Sequence, residues 1–175
     1  MNNPPVTPDT PALLAELIRE QLRLPKTPQR VFVYNAPWPL PKTTDLYIVI
    51  GILADDDFGG GVIEKIDPAT QQLVEQQTIE RATTYTVDVF SVSTEARRRR
   101  HEIHFALQGD AAQRLSEAHN LLIFRPTAFV DLSEVEASRR LNRFQTQFQV
   151  FEGFGQTRPI PSMTPQLPIQ TTIQP

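Results

Sequence analysis

Leu14, Leu17, Ile18 and Leu22 recur at three- and four-residue intervals after Thr10-Pro11, and Pro25 and Pro28 close the run. This spacing predicts an amphipathic helix over about 11–23. Thr10 is its cap, and Pro11 holds the first helical position, where a missing N–H costs nothing. Val31 to Asn35 has strand composition. Pro37, Pro39 and Pro41 at alternate positions then force an extended bridge with no regular ladder. LYIVIGILA, Leu46 to Ala54, is apolar without alternation, which is the pattern of a strand covered on both faces. The DDDFGGG that follows predicts a mobile, glycine-marked loop.

Asp67-Pro68-Ala69-Thr70 has the residues of a type I turn and joins VIEKI to QQLVEQQTI as a hairpin. From Ile79 to Val89 the period changes to two: Tyr85, Val87 and Val89 face one way, and Glu80, Thr84, Thr86 and Asp88 the other. Ser93 and Thr94 are capping candidates for a helix running to Gly109, the usual residue after a helix end. Asp110, with Gln113 three residues on, opens a second helix to Asn120. LLIFRP reads as a short strand. From Ala137 to Phe151 alternation returns: Phe144, Thr146, Phe148, Val150 and, just beyond, Phe154 share one face, and Arg143, Gln145, Gln147 and Gln149 the other. The order predicts an α+β domain over 10–156, a mixed, mostly antiparallel sheet flanked by helices. Proline-rich extended arms lie at 1–9 and 157–175.

At 175 residues, 39% hydrophobic and 21% charged, the chain has the make-up of one folded soluble domain, although 16 prolines against 7 glycines favour extended arms. The net charge of −3 is not that of a dedicated DNA-binding domain, so any basic patch is local. Without cysteine there is no disulfide, thiolate metal site or cysteine nucleophile. The longest apolar run falls well short of the roughly 20 residues a membrane helix needs, and the N-terminus lacks the regions of an export signal.

Chemistry is concentrated in TEARRRRHEIHFALQGD. Successive helical residues turn by about 100°, so Arg97, Arg98, Arg99 and Arg100 point around the axis and form no single patch. The apolar stripe through Ala96, Ile103, Ala106 and Leu107 puts Arg99 and Arg100 beside the buried face, with their heads at its edge. Three readings of the run stay open: a solvated helix with local pairs to Glu95 and Glu102, a belt of ion pairs to a neighbouring subunit, or contact with DNA phosphates. His101 and His104 have a spacing that can bind metal, but no third ligand stands in a recognisable relation to them. Asp55, Asp56 and Asp57 lack the alternate oxygen ligands and distal Glu of an EF-hand loop. No GxSxG, phosphate loop or dinucleotide glycine pattern is present, so the chain is expected to be no enzyme and to hold no cofactor or metal.

VYNAPWPLPKTTDLYIVIGIL, followed by ERATTYTVDVFSV and RRLNRFQTQFQVF, resembles the tail terminator or neck terminator proteins of tailed bacteriophages over residues 10–155. The resemblance implies an α+β subunit that assembles with itself into a ring, commonly a hexamer. Such a ring would cap the tail tube, join it to the connector of the head, and let DNA pass without sequence recognition. It implies a place in the tail or neck of the virion, assembly in the host cytoplasm, tail-tube and connector proteins as partners, and no membrane. Arg97, Arg99, Arg100, Arg139 and Arg143 are then candidates for subunit contacts. Ile160, Met163, Leu167, Ile169 and Ile173 are candidate anchors of the C-terminal arm, which the family pattern does not require. The alternative is a nucleic-acid-binding accessory protein using Arg97 to Arg100.

Overall fold

The computed structural model describes residues 9–34, 44–136 and 139–160; at 134–136, 139 and 140 it describes the backbone. The expected proline bridge, most of the N-terminal arm and Met163, Leu167, Ile169 and Ile173 lie outside the described residues. In chain order the elements are α1 (Thr10–Gln21), β1 (Val31–Val33), β2 (Tyr47–Ile66), β3 (Leu73–Ser91), α2 (Glu95–Arg99), α3 (His101–Gln108), α4 (Asp110–His119), β4 (Leu121–Ile123), β5 (Val130–Asp131), β6 (Glu134–Glu136) and β7 (Arg139–Pro159).

The fold is α+β. One sheet runs β1-β2-β3-β7-β4, with β5 and β6 also pairing along β7. Among the described residues only β1–β2 is parallel, and every other pairing is antiparallel. The helices pack on one face. Leu14, Leu17 and Ile18 of α1 and Ala96, Ile103, Ala106 and Leu107 of α2 and α3 meet Ile48, Ile50, Tyr85, Val87, Val89, Phe144, Phe148 and Val150 in the main core. The period-two pattern of β3 and β7 therefore has its expected cause: Val87, Val89, Phe144 and Val150 are fully buried, as is Thr146, whose hydroxyl donates to the Thr127 carbonyl at 2.7 Å. A smaller cluster of Phe32, Tyr47, Val49 and Phe90, with Leu141 against it, lies on the opposite face.

Several local expectations are corrected. Asp9, not Thr10, caps α1, its carboxylate accepting the Ala12 amide at 3.4 Å, and Thr10 becomes a buried helical residue. The helix after Thr94 divides at Arg100 into α2 and α3. Gly109 is extended (φ −84°, ψ 174°) and caps α4, so Asp110 is the first residue of that helix instead of its cap. The left-handed helix end belongs to Asn120 (φ 53°, ψ 47°).

The largest difference concerns DDDFGGG. It is no loop but the middle of the 20-residue strand β2, which pairs with β3 from Tyr47↔Phe90 to Ile66↔Leu73. Two of its three acidic side chains find partners across the ladder: Thr83 donates to Asp55 at 2.8 Å, and Arg81 donates to Asp57 at 2.7 Å. The glycines absorb a register shift between Phe58 and Gly61, where Gly59 (φ 65°) and Gly60 (φ 134°) take conformations that L side chains avoid. Only the first residues of β2, Tyr47 to Gly51, are buried. Ile52 and Leu53, assigned by pattern to a strand covered on both faces, are exposed. At the far end the expected hairpin is present, but the Gln71 amide, at φ 56°, donates to the Asp67 carbonyl at 2.8 Å, one residue beyond the expected type I closure. The Asp67 carboxylate accepts the Ala69 amide at 2.9 Å and the Thr70 hydroxyl at 3.0 Å. β7 runs past residue 156 to Pro159, and the Ile160 amide still donates to Leu73 at 3.1 Å, so the C-terminal arm begins later than the composition indicated.

Candidate interaction surface

All four consecutive arginines engage groups of their own chain. Arg97 lies 3.6 Å from Asp131, and Arg98 3.0 Å from Glu95. Arg99 donates to both oxygens of Glu102 and to the Leu22 carbonyl at 2.8 Å, tying this helix to the end of α1. Arg100 lies over the Phe144 ring, 4.3 Å from its centre. The hydrogen bonds to Glu102 hold the Arg99 guanidinium above its ordinary pKa, against the opposing effect of burial. Arg143, on the opposite face of the sheet, donates to Asp88 at 2.8 Å, and Gln145 reaches the same carboxylate. Arg139 pairs through its backbone with Glu136. The five arginines named from the sequence thus do not come together. Arg97, Arg99 and Arg100 lie in the helical layer, and Arg143 lies behind the sheet.

His101 and His104 meet at Phe129: the His104 ring stacks on it at 4.8 Å and His101 meets it edge-on at 6.0 Å. Burial, and then the neighbouring His101, push the His104 pKa below its ordinary value. Among the described residues no group of three or more His, Asp or Glu side chains is arranged to hold a metal ion. A groove of about 560 Å³ is lined by Arg23, Arg30, Asp45, Ser93, Glu95 and Arg99. Two of its three guanidiniums are already engaged, Arg30 with Asp45 at 2.6 Å and Arg99 with Glu102. The Ser91 and Ser93 hydroxyls are held on the Thr44 carbonyl at 3.0 and 2.7 Å, so neither is presented with a base as a nucleophile.

The feature that pattern reading missed is a projecting ribbon. β1 pairs with β2 only at 48–50, and β4 pairs with β7 only at 150–152, so beyond these residues three strands continue alone. In register, the last β4-paired residue of β7, Glu152, lies opposite Arg81 and Asp57, so the three strands run alone over Phe58 to Ile66 of β2, roughly 30 Å at about 3.3 Å per residue. No described helix packs on either face there. Register assigns the side chains. Asp55, Asp57, Val62, Ile79, Arg81 and Phe154 continue the helix-covered face, and Asp56, Phe58, Ile63, Glu80 and Phe151 continue the other.

On that second face Phe151 packs against Phe58 at 5.2 Å and Phe124 at 4.6 Å between ring centres, with Leu122 paired beside it. Phe58, Phe124 and Leu122 stay 40, 39 and 54% exposed, so the cluster is assembled but uncovered. Between it and the smaller apolar cluster lies an uncharged stripe of Thr84, Thr86, Gln147 and Gln149. The strand composition of these segments was legible, but their exposure depends on where β1 and β4 stop. On the core face, Glu152 is buried, and its Oε1 has no hydrogen-bond partner. Compared with protein-family models and with curated proteins, the chain finds no match in either.

Proposed function

We propose that this chain is a structural ring protein of the tail-terminator kind. It closes the tail tube of a tailed phage, joins it to the neck and connector, and lets DNA pass through the lumen without reading its sequence. The observation that carries this reading is the three-stranded ribbon, roughly 30 Å long and bare of described helices, with Phe58, Val62, Ile63 and Ile79 exposed on it and Ile52 and Leu53 exposed on the strand that leads into it. An isolated antiparallel ribbon with apolar side chains on both faces is marginal in water, and it gains stability when a neighbouring subunit covers it. A closed ring supplies such a neighbour to every copy and leaves no ribbon unmatched.

The uncharged stripe of Thr84, Thr86, Gln147 and Gln149 supports the lumen assignment. Amide and hydroxyl side chains hydrate well and do not trap phosphates, as a lining of guanidiniums would. The alternative, a nucleic-acid grip by the arginine run, has less support because each of Arg97 to Arg100 already faces a carboxylate or ring of its own chain.

The test is the native mass of the purified full chain across a concentration series, with electron microscopy of the heaviest species. A single closed stoichiometry, six copies being expected, with a central opening, supports the proposal. A strict monomer at every concentration refutes it.

A further inference from the structure

The chain is polarised in charge and carries two apolar surfaces that match that polarity. Residues 52–82 and 151–160, which build the ribbon and the strand segments leading into it, hold eight acidic and three basic side chains. Residues 95–105, which build the outer surface of α2 and α3, hold four arginines and two histidines against two glutamates. On the ribbon, Asp56 and Glu80 alternate with Phe58, Phe151 and Leu122 on the face away from the helices. Both carboxylates are exposed and stand outside every ion pair among the described residues.

On the helical layer, Arg98, His101 and Phe105 fall on one exposed line at helical spacing, and Phe105, 77% exposed, is the most exposed large apolar side chain among the described residues. Arg98 is held there by a surface pair with Glu95, and Arg97 by a surface pair with Asp131 and a long contact with the Phe144 ring at 5.9 Å, all weak enough to exchange readily for better ones. An aromatic residue among arginines is the composition of an interface anchor.

The geometry points to a subunit contact in which the acidic aromatic face of one copy's ribbon, Asp56, Phe58, Glu80 and Phe151, lies over the basic face Arg97, Arg98 and Phe105 of the next copy's helices. This rests on the self-assembly reading above and says which two surfaces meet. The patches lie on opposite faces of the same sheet, so a chain cannot satisfy both by folding on itself, and a compact two-fold pair, which would need both patches on one shared surface, does not join them. The contact is heterologous, the kind that closes into a ring when its rotation divides a full turn.

The occupant is a second copy because the complementary charge lies on this chain and not on its own remaining segments. Residues 1–8, 35–43, 137–138 and 161–175 contain one charged residue between them, Lys42, and so cannot neutralise Asp56 and Glu80. With the uncharged stripe turned to the lumen, the ribbon extends sideways and overlaps the outside of its neighbour's helices, as one shingle overlaps the next.

Charge reversal tests the contact. Asp56→Arg with Glu80→Arg places a basic ribbon against basic helices, and Arg97→Glu with Arg98→Glu places an acidic ribbon against acidic helices. Each pair raises the concentration of half-assembly at least about tenfold, the scale of close interfacial charge pairs. All four changes in one chain restore opposite charges at every contact and return half-assembly to within about threefold of the parent. An equimolar mixture of the two double variants also assembles.

Far-UV circular dichroism and the urea midpoint report folding. For any double variant that loses its fold, the neutral set Asp56→Asn with Glu80→Gln, or Arg97→Gln with Arg98→Gln, is used, and each is expected to weaken assembly. Parent rings with unimpaired reversal or neutral variants overturn the contact while leaving the ring reading intact. Impaired double variants with no recovery in the four-change chain also overturn the contact. A parent that stays monomeric overturns the ring reading itself.

Discussion

Phe144→Ala removes the side chain on which the helical layer and the sheet converge. Phe144 is fully buried on β7, paired in register with Val89, and its ring carries the Arg100 guanidinium at 4.3 Å and that of Arg97 at 5.9 Å. Truncating a buried Phe loses its transfer free energy and leaves a cavity the neighbours fill only in part, which costs about 3–5 kcal/mol. The cation–π contact of Arg100 adds about 0.5–1 kcal/mol at a partly exposed site. Urea unfolding at one low protein concentration measures both, since assembly would otherwise add to apparent stability. The single variant is expected to lose about 3–5 kcal/mol at unchanged slope. In a double-mutant cycle with Arg100→Met, the two losses fall short of additivity by about 0.5–1 kcal/mol. A loss under about 1 kcal/mol for Phe144→Ala refutes its place at the centre of the core. Strict additivity refutes the contribution of the Arg100 contact.

His104 makes stability depend on pH in a known direction. Burial holds its folded pKa below the unfolded value of about 6.5, so the unfolded state binds protons more readily, and the contribution of His104, full above pH 6.5, is lost as pH falls through its folded pKa. Between pH 8 and 5 the thermal midpoint of the parent is expected to fall relative to that of His104→Phe, and parallel curves would remove His104 as the cause. Gly60→Ala places a Cβ 2.7 Å from the Thr78 carbonyl oxygen at φ 134°, where neither the backbone nor the side chain can yield cheaply. It is expected to lose about 1–3 kcal/mol and to open amide exchange at Thr78 and Gly61, while Gly61→Ala, at negative φ with its nearest atom 3.8 Å away, is expected to change little.

Amphipathic period and turn chemistry decided much of this molecule from sequence alone. Leu14, Leu17 and Ile18 mark α1, the alternation of Tyr85, Val87 and Val89 against Phe144, Phe148 and Val150 marks the two central strands, and Asp67-Pro68 marks the hairpin. These signals are local, because a helix face or a pleat imposes its period on neighbouring residues. Local pattern also made Ile52 and Leu53 look like core and Asp55 to Gly61 look like loop. Burial depends on what lies alongside, and only the points where β1 and β4 stop leave the ends of β2, β3 and β7 uncovered. The assembly of Phe58, Phe124 and Phe151 into one patch, and the engagement of Arg97, Arg98, Arg99 and Arg100 by carboxylates and a ring of their own chain, likewise required the tertiary structure. Residues 27 to 93 positions apart become neighbours only through strand pairing, and no period along the chain encodes that.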